Sequence, residues 1–171
     1  AVGGASAGSD VYKWLALGVW GTSNMRTGGD DIAQALAFLG VKPVWDSSSR
    51  RVTSFEILPV NVLGRPRIDV TLRISGFFRD AFPSLINLFD SAVRAVLSLD
   101  EPKEDNLLLA QVTEDTKGLI ESGVGEEEAK WRAGYRVFGS KPGAYGAGLQ
   151  AIIDEKGWSS DEELVSAYIA W

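Results

Sequence analysis

The spacing of apolar residues changes along the first quarter of the chain and predicts three elements there. Residues 14–20 form a short apolar run that is typical of a strand buried on both faces. From Gly28 to Gly40 the apolar residues recur with a helical period. Residues 41–45 predict a second strand. Strand, glycine-containing loop, helix and strand make the βαβ pattern of a parallel sheet.

The rest of the chain predicts two further strands and then only helices. The β-rich runs 52–62 and 68–74 are expected in the same sheet, and a long helix should follow Gly76 and stop near Pro102. Helical periods then recur without a strand at 106–122, 126–138, 144–156 and 160–170.

The predicted fold is therefore α/β. We expect a mostly parallel, Rossmann-like sheet of about four strands with flanking helices, followed by a helical lobe. The corresponding division is a flexible lead-in at 1–12, an α/β sub-domain at 13–102 and a helical sub-domain at 103–171.

Composition limits the chemistry and the partners. The 171 residues carry a net charge of -6, which makes nucleic acid and membranes poor partners because both attract basic surfaces. There is no cysteine and no histidine, so metal or proton chemistry must use carboxylates, hydroxyls, tyrosines or groups from outside the chain. No stretch approaches the roughly 20 apolar residues of a membrane span and no signal peptide is evident, so a cytoplasmic location is expected.

The glycine-containing segment 21–29 is the first candidate site, because it joins the carboxyl end of a strand to a helix. Backbone N–H groups, the hydroxyls of Thr22 and Ser23, and the guanidinium of Arg26 could hold a carboxylate or phosphate. Two aspartates, Asp30 and Asp31, follow in the helix's first turn and oppose an anion. The alternative is a connecting loop whose aspartates complement the helix dipole. The glycine spacing matches neither common nucleotide-binding motif.

Charged residues flank the strand at 68–74. Arg67 and Asp69 lie at its start, while Ser75, Arg79 and Asp80 follow its carboxyl end, which is the ligand-binding end in a parallel sheet. These residues either contact a substrate or form an ion-pair network and cap for the next helix.

Three other features have open interpretations. Glu56 lies either on the solvent face of an edge strand or in a partly buried position where its pKa would be raised. Tyr145, within the glycine-rich segment 139–148, could belong to a flap over a flat macrocycle. Most of the six tryptophans are expected to pack in the interior.

Three long strings resemble the large subunit of cobaltochelatase. They are LGVWGTSNMRTGGDDIAQALAFLGVKPVWD at 17–46, LGRPRIDVTLRISGFFRDAFPSLINLFDSAV at 63–93 and FGSKPGAYGAGLQAIIDEKGW at 138–158. The related magnesium chelatase large subunit shares the Trp-Gly-Thr, Gly-Arg-Pro-Arg-Ile-Asp-Val and Phe-Arg-Asp elements, but differs at 25–29 and 139–148.

The resemblance implies a fragment of a tetrapyrrole-binding subunit that inserts cobalt(II) into hydrogenobyrinic acid a,c-diamide during cobalamin biosynthesis. Its partners would be the corrin precursor, the remainder of the large subunit, an AAA+ ATPase subunit that uses ATP, and a further small subunit. We expect no directly bound cofactor, with cobalt(II) as a substrate, and an inactive isolated fragment. The alternatives are a porphyrin-binding subunit of the magnesium type and a non-catalytic docking module.

Chemistry suggests roles for the candidates within that function. Metal insertion removes two pyrrole-type protons, for which the carboxylates Glu56, Asp69 and Asp80 are the available bases. Arginines suit the acidic side chains of a corrin, and those available are Arg26, Arg67 and Arg79. Metal ligands are not identified.

Overall fold

A computed structural model describes residues 12–140 and 157–170. The lead-in predicted at 1–12, apart from the exposed Tyr12, and the helix predicted at 144–156 lie outside the described residues. The strands are β1 (Trp14–Val19), β2 (Val41–Trp45), β3 (Val52–Ile57), β4 (Asp69–Ile74) and β5 (Val137–Gly139). The helices are α1 (Gly21–Thr27), α2 (Asp30–Leu39), α3 (Val60–Leu63), α4 (Gly76–Ala81), α5 (Pro83–Leu97), α6 (Leu107–Glu121), α7 (Glu126–Ala133) and α8 (Asp161–Ala170).

A parallel sheet with the order β1-β4-β5 forms the centre of the fold. Pairing between β1 and β4 begins with Trp14 opposite Asp69 and ends with Val19 opposite Ile74. The short strand β5 pairs with the carboxyl-terminal half of β4. The predicted α/β class, with a parallel sheet flanked by helices, is confirmed; the described sheet has three strands rather than about four.

Strands β2 and β3 form a separate antiparallel hairpin. The predictions that residues 14–45 are a parallel βαβ unit and that 52–62 joins the main sheet are therefore wrong. The turn explains the reversal, because Asp46 Oδ1 accepts hydrogen bonds from the Ser48 hydroxyl at 2.6 Å and from the Ser49 backbone N–H at 2.7 Å. These bonds lower the pKa of Asp46 below its usual value, and the bond from the Ser48 hydroxyl has the largest effect.

Two other predictions need correction. The long helix expected after Gly76 is broken into α4 and α5 at Phe82, and Pro83 begins α5, where a missing N–H costs nothing. The expectation of no strand after residue 103 is also wrong, because β5 pairs with β4 as the third strand of the sheet. A three-residue strand gives too short a pattern to separate from the neighbouring helix. The division at 102 stays a prediction.

The core lies on one face of the parallel sheet. Leu15, Val70 and Leu72 are buried there against side chains of α2 and α5. From Val70 to Ile74, buried and half-buried residues alternate along β4, as expected of a strand with one face on the core. The other face is different, since β1 exposes Trp14, Ala16 and Gly18. The prediction of a strand buried on both faces is therefore wrong.

The tryptophans also lie differently from the prediction. All five within the described residues are exposed: Trp14, Trp20, Trp45, Trp131 and Trp158. Their apolar spacing does not distinguish a core face from a face that another part of a larger protein covers.

Candidate functional site

All three parallel strands end at one edge of the sheet, and the segments that follow them meet there. The backbone N–H of Ser75 donates to the Val19 carbonyl at 2.9 Å. The Gly21 N–H lies 3.4 Å from Ser75 Oγ, a weak hydrogen bond across the edge. This carboxyl edge is where open α/β sheets bind ligands.

Ser75 is fixed by its capping role. Its hydroxyl oxygen accepts from the Phe78 N–H at 3.1 Å and so caps α4. Beside it, Gly21 packs directly on the Phe77 ring, and a Cβ at Gly21 would overlap that ring. The two short helices α1 and α4 can therefore begin side by side only because residue 21 has no side chain.

Arg79 joins α4 to the end of β5. Its guanidinium donates to both carboxylate oxygens of Asp80, at 2.7 and 3.0 Å, and to the carbonyl and hydroxyl oxygens of Ser140. The Arg79 side chain is 17% exposed and that of Asp80 is 41% exposed. We call Ser75, Arg79, Asp80 and Ser140 the edge cluster. The contacts within the edge cluster are those of the predicted ion-pair network and helix cap. The carboxylate of Asp80 nevertheless faces solvent.

The segment containing Thr22, Ser23 and Arg26 is helical, so the predicted loop at 21–29 is wrong. Only its last two residues form a turn: Gly28 and Gly29 have φ of 75° and 105°, which ends α1 and allows α2 to begin with its predicted aspartates. Thr22 is exposed in the first turn of α1 and Arg26 in its last, about 6 Å further along the helix axis. Ser23 is half-buried.

Asn24 is a buried polar residue of α1 that sequence reasoning missed. Its side chain is 4% exposed, and within the described residues no donor reaches its Oδ1 atom. An unsatisfied buried acceptor costs about 1–3 kcal/mol. It therefore marks the inner side of α1, beside Gly29, as a place where a hydrogen-bond donor would be stabilised.

Glu56 lies away from this edge, on the hairpin. Its side chain is exposed and stands opposite Lys42 on β2. This is the solvent-face alternative, and a buried base at Glu56 is excluded by its exposure.

Arg67 is also away from the carboxyl edge and is 1% exposed. Its guanidinium donates to both oxygens of Glu101, at 2.8 and 2.9 Å. The remaining donors bond to the carbonyls of Leu39, Gly40 and Leu58. With its donors engaged inside the protein, Arg67 has no surface to offer a substrate.

Asp69 begins β4 and therefore lies at the amino edge, about 17–20 Å from Ser75 for six residues of strand. It is 5% exposed and accepts two hydrogen bonds from the Arg136 guanidinium, at 2.6 and 3.0 Å. Burial raises the pKa of Asp69, and the bonds from Arg136 oppose that rise. Its contacts make Asp69 part of a structural ion pair.

A groove lies between β3 and α5, and its lining differs from the charged edge cluster. It has a volume of about 450 Å³. Its lining includes no charged side chain: Val52, Thr53, Ser54, Phe55, Ser84, Leu85, Asn87, Leu88 and Ser91. Such a lining can contact apolar and neutral polar groups but cannot balance charge.

Metal-binding clusters and membrane-spanning helices are both absent from residues 12–140 and 157–170. No group of three or more acidic residues is arranged there to hold a metal ion. Nor is any helix in these ranges long and apolar enough to cross a membrane.

The edge geometry, on an α/β sheet with the motifs quoted above, can be compared with known proteins. A family model described as CobN/Magnesium Chelatase matches residues 9–171. The chain belongs to this family. The resemblance to the cobaltochelatase large subunit is thereby confirmed, and so is the relation to magnesium chelatase, because one family model describes both.

Relatives in the family are much longer than this chain. It is 62% identical over 165 residues to the aerobic cobaltochelatase subunit CobN of Sinorhizobium sp, covering 95% of the chain and 13% of the relative. It is 38% identical over 163 residues to the chloroplastic magnesium-chelatase subunit ChlH of Oryza sativa subsp. japonica, covering 95% and 11%. Among solved structures, the catalytic subunit of cobaltochelatase from Mycobacterium tuberculosis matches with a TM-score of 0.79 and 54% identity, covering 91% of this chain and 13% of that one.

The structure thus brings together only part of the predicted site. Ser75, Arg79 and Asp80 lie at the carboxyl edge with the start of α1, whereas Glu56, Arg67 and Asp69 do not; Tyr145 lies outside the described residues. Sequence reasoning missed the partners Ser140, Glu101 and Arg136. No local signal identifies them, because they are 61, 34 and 67 residues from the side chains they bond.

Proposed function

We propose that this chain is part of the large subunit of an ATP-dependent, aerobic-type cobaltochelatase that inserts cobalt(II) into hydrogenobyrinic acid a,c-diamide. The observation that supports the cobalt branch is the difference in identity over nearly the same span, 62% to a cobaltochelatase subunit against 38% to a magnesium-chelatase subunit. An AAA+ ATPase subunit and a small subunit would complete the assembly and use ATP.

The edge cluster is the proposed contribution of this chain. Asp80 offers a solvent-facing carboxylate that can accept a proton or contact an incoming cation. The partly exposed Arg79 and the exposed Arg26 can bind carboxylate or amide groups at the rim of a corrin. Thr22 and Ser23 are proposed to add neutral hydrogen bonds, and Tyr145 to belong to a flap over the macrocycle.

The rest of the catalytic chemistry is assigned to other parts of the subunit. A chain without histidine or cysteine supplies none of the ligands that transition metals most commonly use. We therefore propose one wall of a shared cleft, with no resident cofactor in this wall and cobalt(II) present as a substrate.

Docking is the second candidate function, and a specific observation favours it. The groove between β3 and α5 is uncharged, and several aromatic side chains are exposed, as expected of a surface that contacts other protein. A docking role is compatible with the edge cluster, because the two surfaces are different.

The substrate assignment can be tested with the full-length large subunit and its partner subunits. We expect ATP-dependent insertion of cobalt(II) into the corrin diamide and no comparable insertion of magnesium into protoporphyrin. Tryptophan fluorescence of the large subunit should be quenched by the corrin diamide. Magnesium insertion at a similar rate would reassign the chain to the magnesium branch, and activity of neither kind would favour docking alone.

Arg79 provides a residue-level prediction. Replacing Arg79 with glutamine in the full-length subunit should raise the KM for the corrin diamide at least tenfold, about 1.4 kcal/mol of lost binding, because a cation at the cleft is removed. Steady-state kinetics and thermal unfolding should be measured together. The matched control is Arg94→Gln, since Arg94 is also paired with an aspartate, Asp90, but lies on the surface of α5. An equal loss of activity and thermal stability would show that Arg79 serves only to hold α4 against Ser140.

A further inference from the structure

On the second face of the parallel sheet, β1 and β5 expose apolar or small residues, while the central strand β4 contributes the buried Asp69 and the half-buried Thr71 and Arg73. Trp14, Ala16 and Gly18 point to this face from β1, and Phe138 from β5. Gly18 and Phe138 stand in one row across the sheet, on either side of Arg73 of β4. We call Trp14, Ala16, Gly18 and Phe138 the open face.

Topology explains why the open face is uncovered. The strand order β1-β4-β5 follows the order in the chain, and parallel crossovers are right-handed in nearly all proteins. Two successive right-handed crossovers in the same direction place their helices on the same face. The buried side chains of α2 and α5 lie on that one face, with Val70 and Leu72.

A free surface of this kind is unusual for a parallel sheet. Parallel sheets are almost always buried on both faces, yet Trp14 is 52% exposed and Phe138 48% exposed. Between them, Ala16 and Gly18 form a strip of small residues. A Cβ placed on Gly18 would meet only the Trp20 indole nitrogen, at 3.8 Å, so another element has room to approach the backbone closely.

The edge of the sheet indicates how it is completed. Within the described residues, β1 pairs only with β4, so its outer edge is open. A doubly wound sheet continues on the far side of its first strand, and helices of that second half cover the second face. The relatives are long enough to supply such a half, because this chain corresponds to only 13% of the CobN relative and of the solved cobaltochelatase subunit.

We infer that the open face is the packing surface for a helix of the same large subunit, from the part of the subunit beyond this chain. The helix presents apolar side chains to Trp14 and Phe138 and lies over the strip formed by Ala16 and Gly18. This inference concerns assembly of the subunit. It goes beyond the proposed cobalt chemistry and does not depend on which metal is inserted.

Hydroxyl-radical footprinting of the purified full-length large subunit, without its partner subunits, measures the coverage directly. Trp14, Trp45 and Trp131 are matched probes, since they are 52%, 59% and 57% exposed in this structure. We expect Trp14 to be oxidised at least fivefold more slowly than the faster of Trp45 and Trp131, and at least fivefold more slowly than a free tryptophan amide in the same sample. Trp14 oxidation at the rate of that free amide would overturn the inference.

Photo-crosslinking then identifies the occupant. Phe138 is replaced in the full-length subunit by p-benzoylphenylalanine, which keeps an aromatic ring, and the same replacement of Trp45 serves as the control. We expect a crosslink from position 138 to a helical peptide of the large subunit outside residues 1–171. A crosslink to residues 141–156, one that forms only with a partner subunit present, or no crosslink would each contradict the stated occupant.

Discussion

Replacing Arg67 with methionine is expected to lower the free energy of unfolding by about 3–5 kcal/mol, the usual cost of removing one member of a buried ion pair. Arg67 is 1% exposed, while the side chain of its partner Glu101 is 17% exposed. Methionine fills much of the same volume but donates no hydrogen bond. The carboxylate of Glu101 would then stay mostly buried without its counter-charge.

The loss reaches several elements because Arg67 connects them. Its guanidinium binds the carbonyls of Leu39 and Gly40 at the end of α2 and that of Leu58 after β3. The Asn106 side chain also donates to Glu101, at 3.1 Å, and caps α6. One substitution therefore leaves acceptors unsatisfied between α2, the hairpin and the start of α6.

Urea unfolding followed by tryptophan fluorescence measures this effect. Arg94→Met is the matched control, since Arg94 pairs with Asp90 on the surface of α5, where an ion pair contributes little. If Arg67→Met lowers the free energy of unfolding no more than Arg94→Met does, Glu101 and the three carbonyls find other partners. Arg67 would then not be needed to hold these elements together.

Local signals predicted the elements that local interactions determine. The helix after Gly29 has two aspartates in its first turn and ends at Gly40, as predicted. From Val70 to Ile74, buried and half-buried residues alternate as predicted, because one face of the strand packs on the core. In both cases the residues that set the structure are neighbours in sequence.

Predictions failed where the determining contact is distant or shared. The hairpin depends on the serine-rich turn after Asp46, and periodicity alone does not reveal strand direction. The helix at α1 depends on the contact between Gly21 and Phe77, 56 residues away. Strand β5 is too short to give a pattern of its own.

The candidate site shows the same limit. Proximity to the strand's carboxyl end correctly grouped Ser75, Arg79 and Asp80, because these residues are consecutive with the strand. Arg67 and Asp69 were grouped with them through sequence proximity, although a strand separates its two ends by its full length. The exposed tryptophans were expected in the interior because apolar spacing alone does not show whether a face is covered.

Replacing Arg136 with methionine is expected to cost about 3–5 kcal/mol of unfolding free energy at neutral pH, and the cost should depend on pH. Asp69 is buried, and both of its carboxylate oxygens accept from Arg136. The bonds and charge of Arg136 are the influences that lower the pKa of Asp69, while burial and the charge of Asp115 raise it. Without Arg136 only the raising influences remain, so the folded-state pKa of Asp69 increases further.

The sign of the pH dependence follows from proton linkage. A carboxyl group whose pKa is higher in the folded state than in the unfolded state favours folding below its unfolded pKa, and that contribution is lost as pH rises through the folded pKa. The penalty in Arg136→Met should therefore be smaller at pH 5 than at pH 8, because acid protonates the unpaired Asp69. Urea unfolding of wild type and variant at both pH values measures the difference. Arg132→Met is the control, since Arg132 pairs with Glu128 on the exposed side of α7. A loss of unfolding free energy in Arg136→Met that is equal at both pH values would contradict the burial of an ionised Asp69.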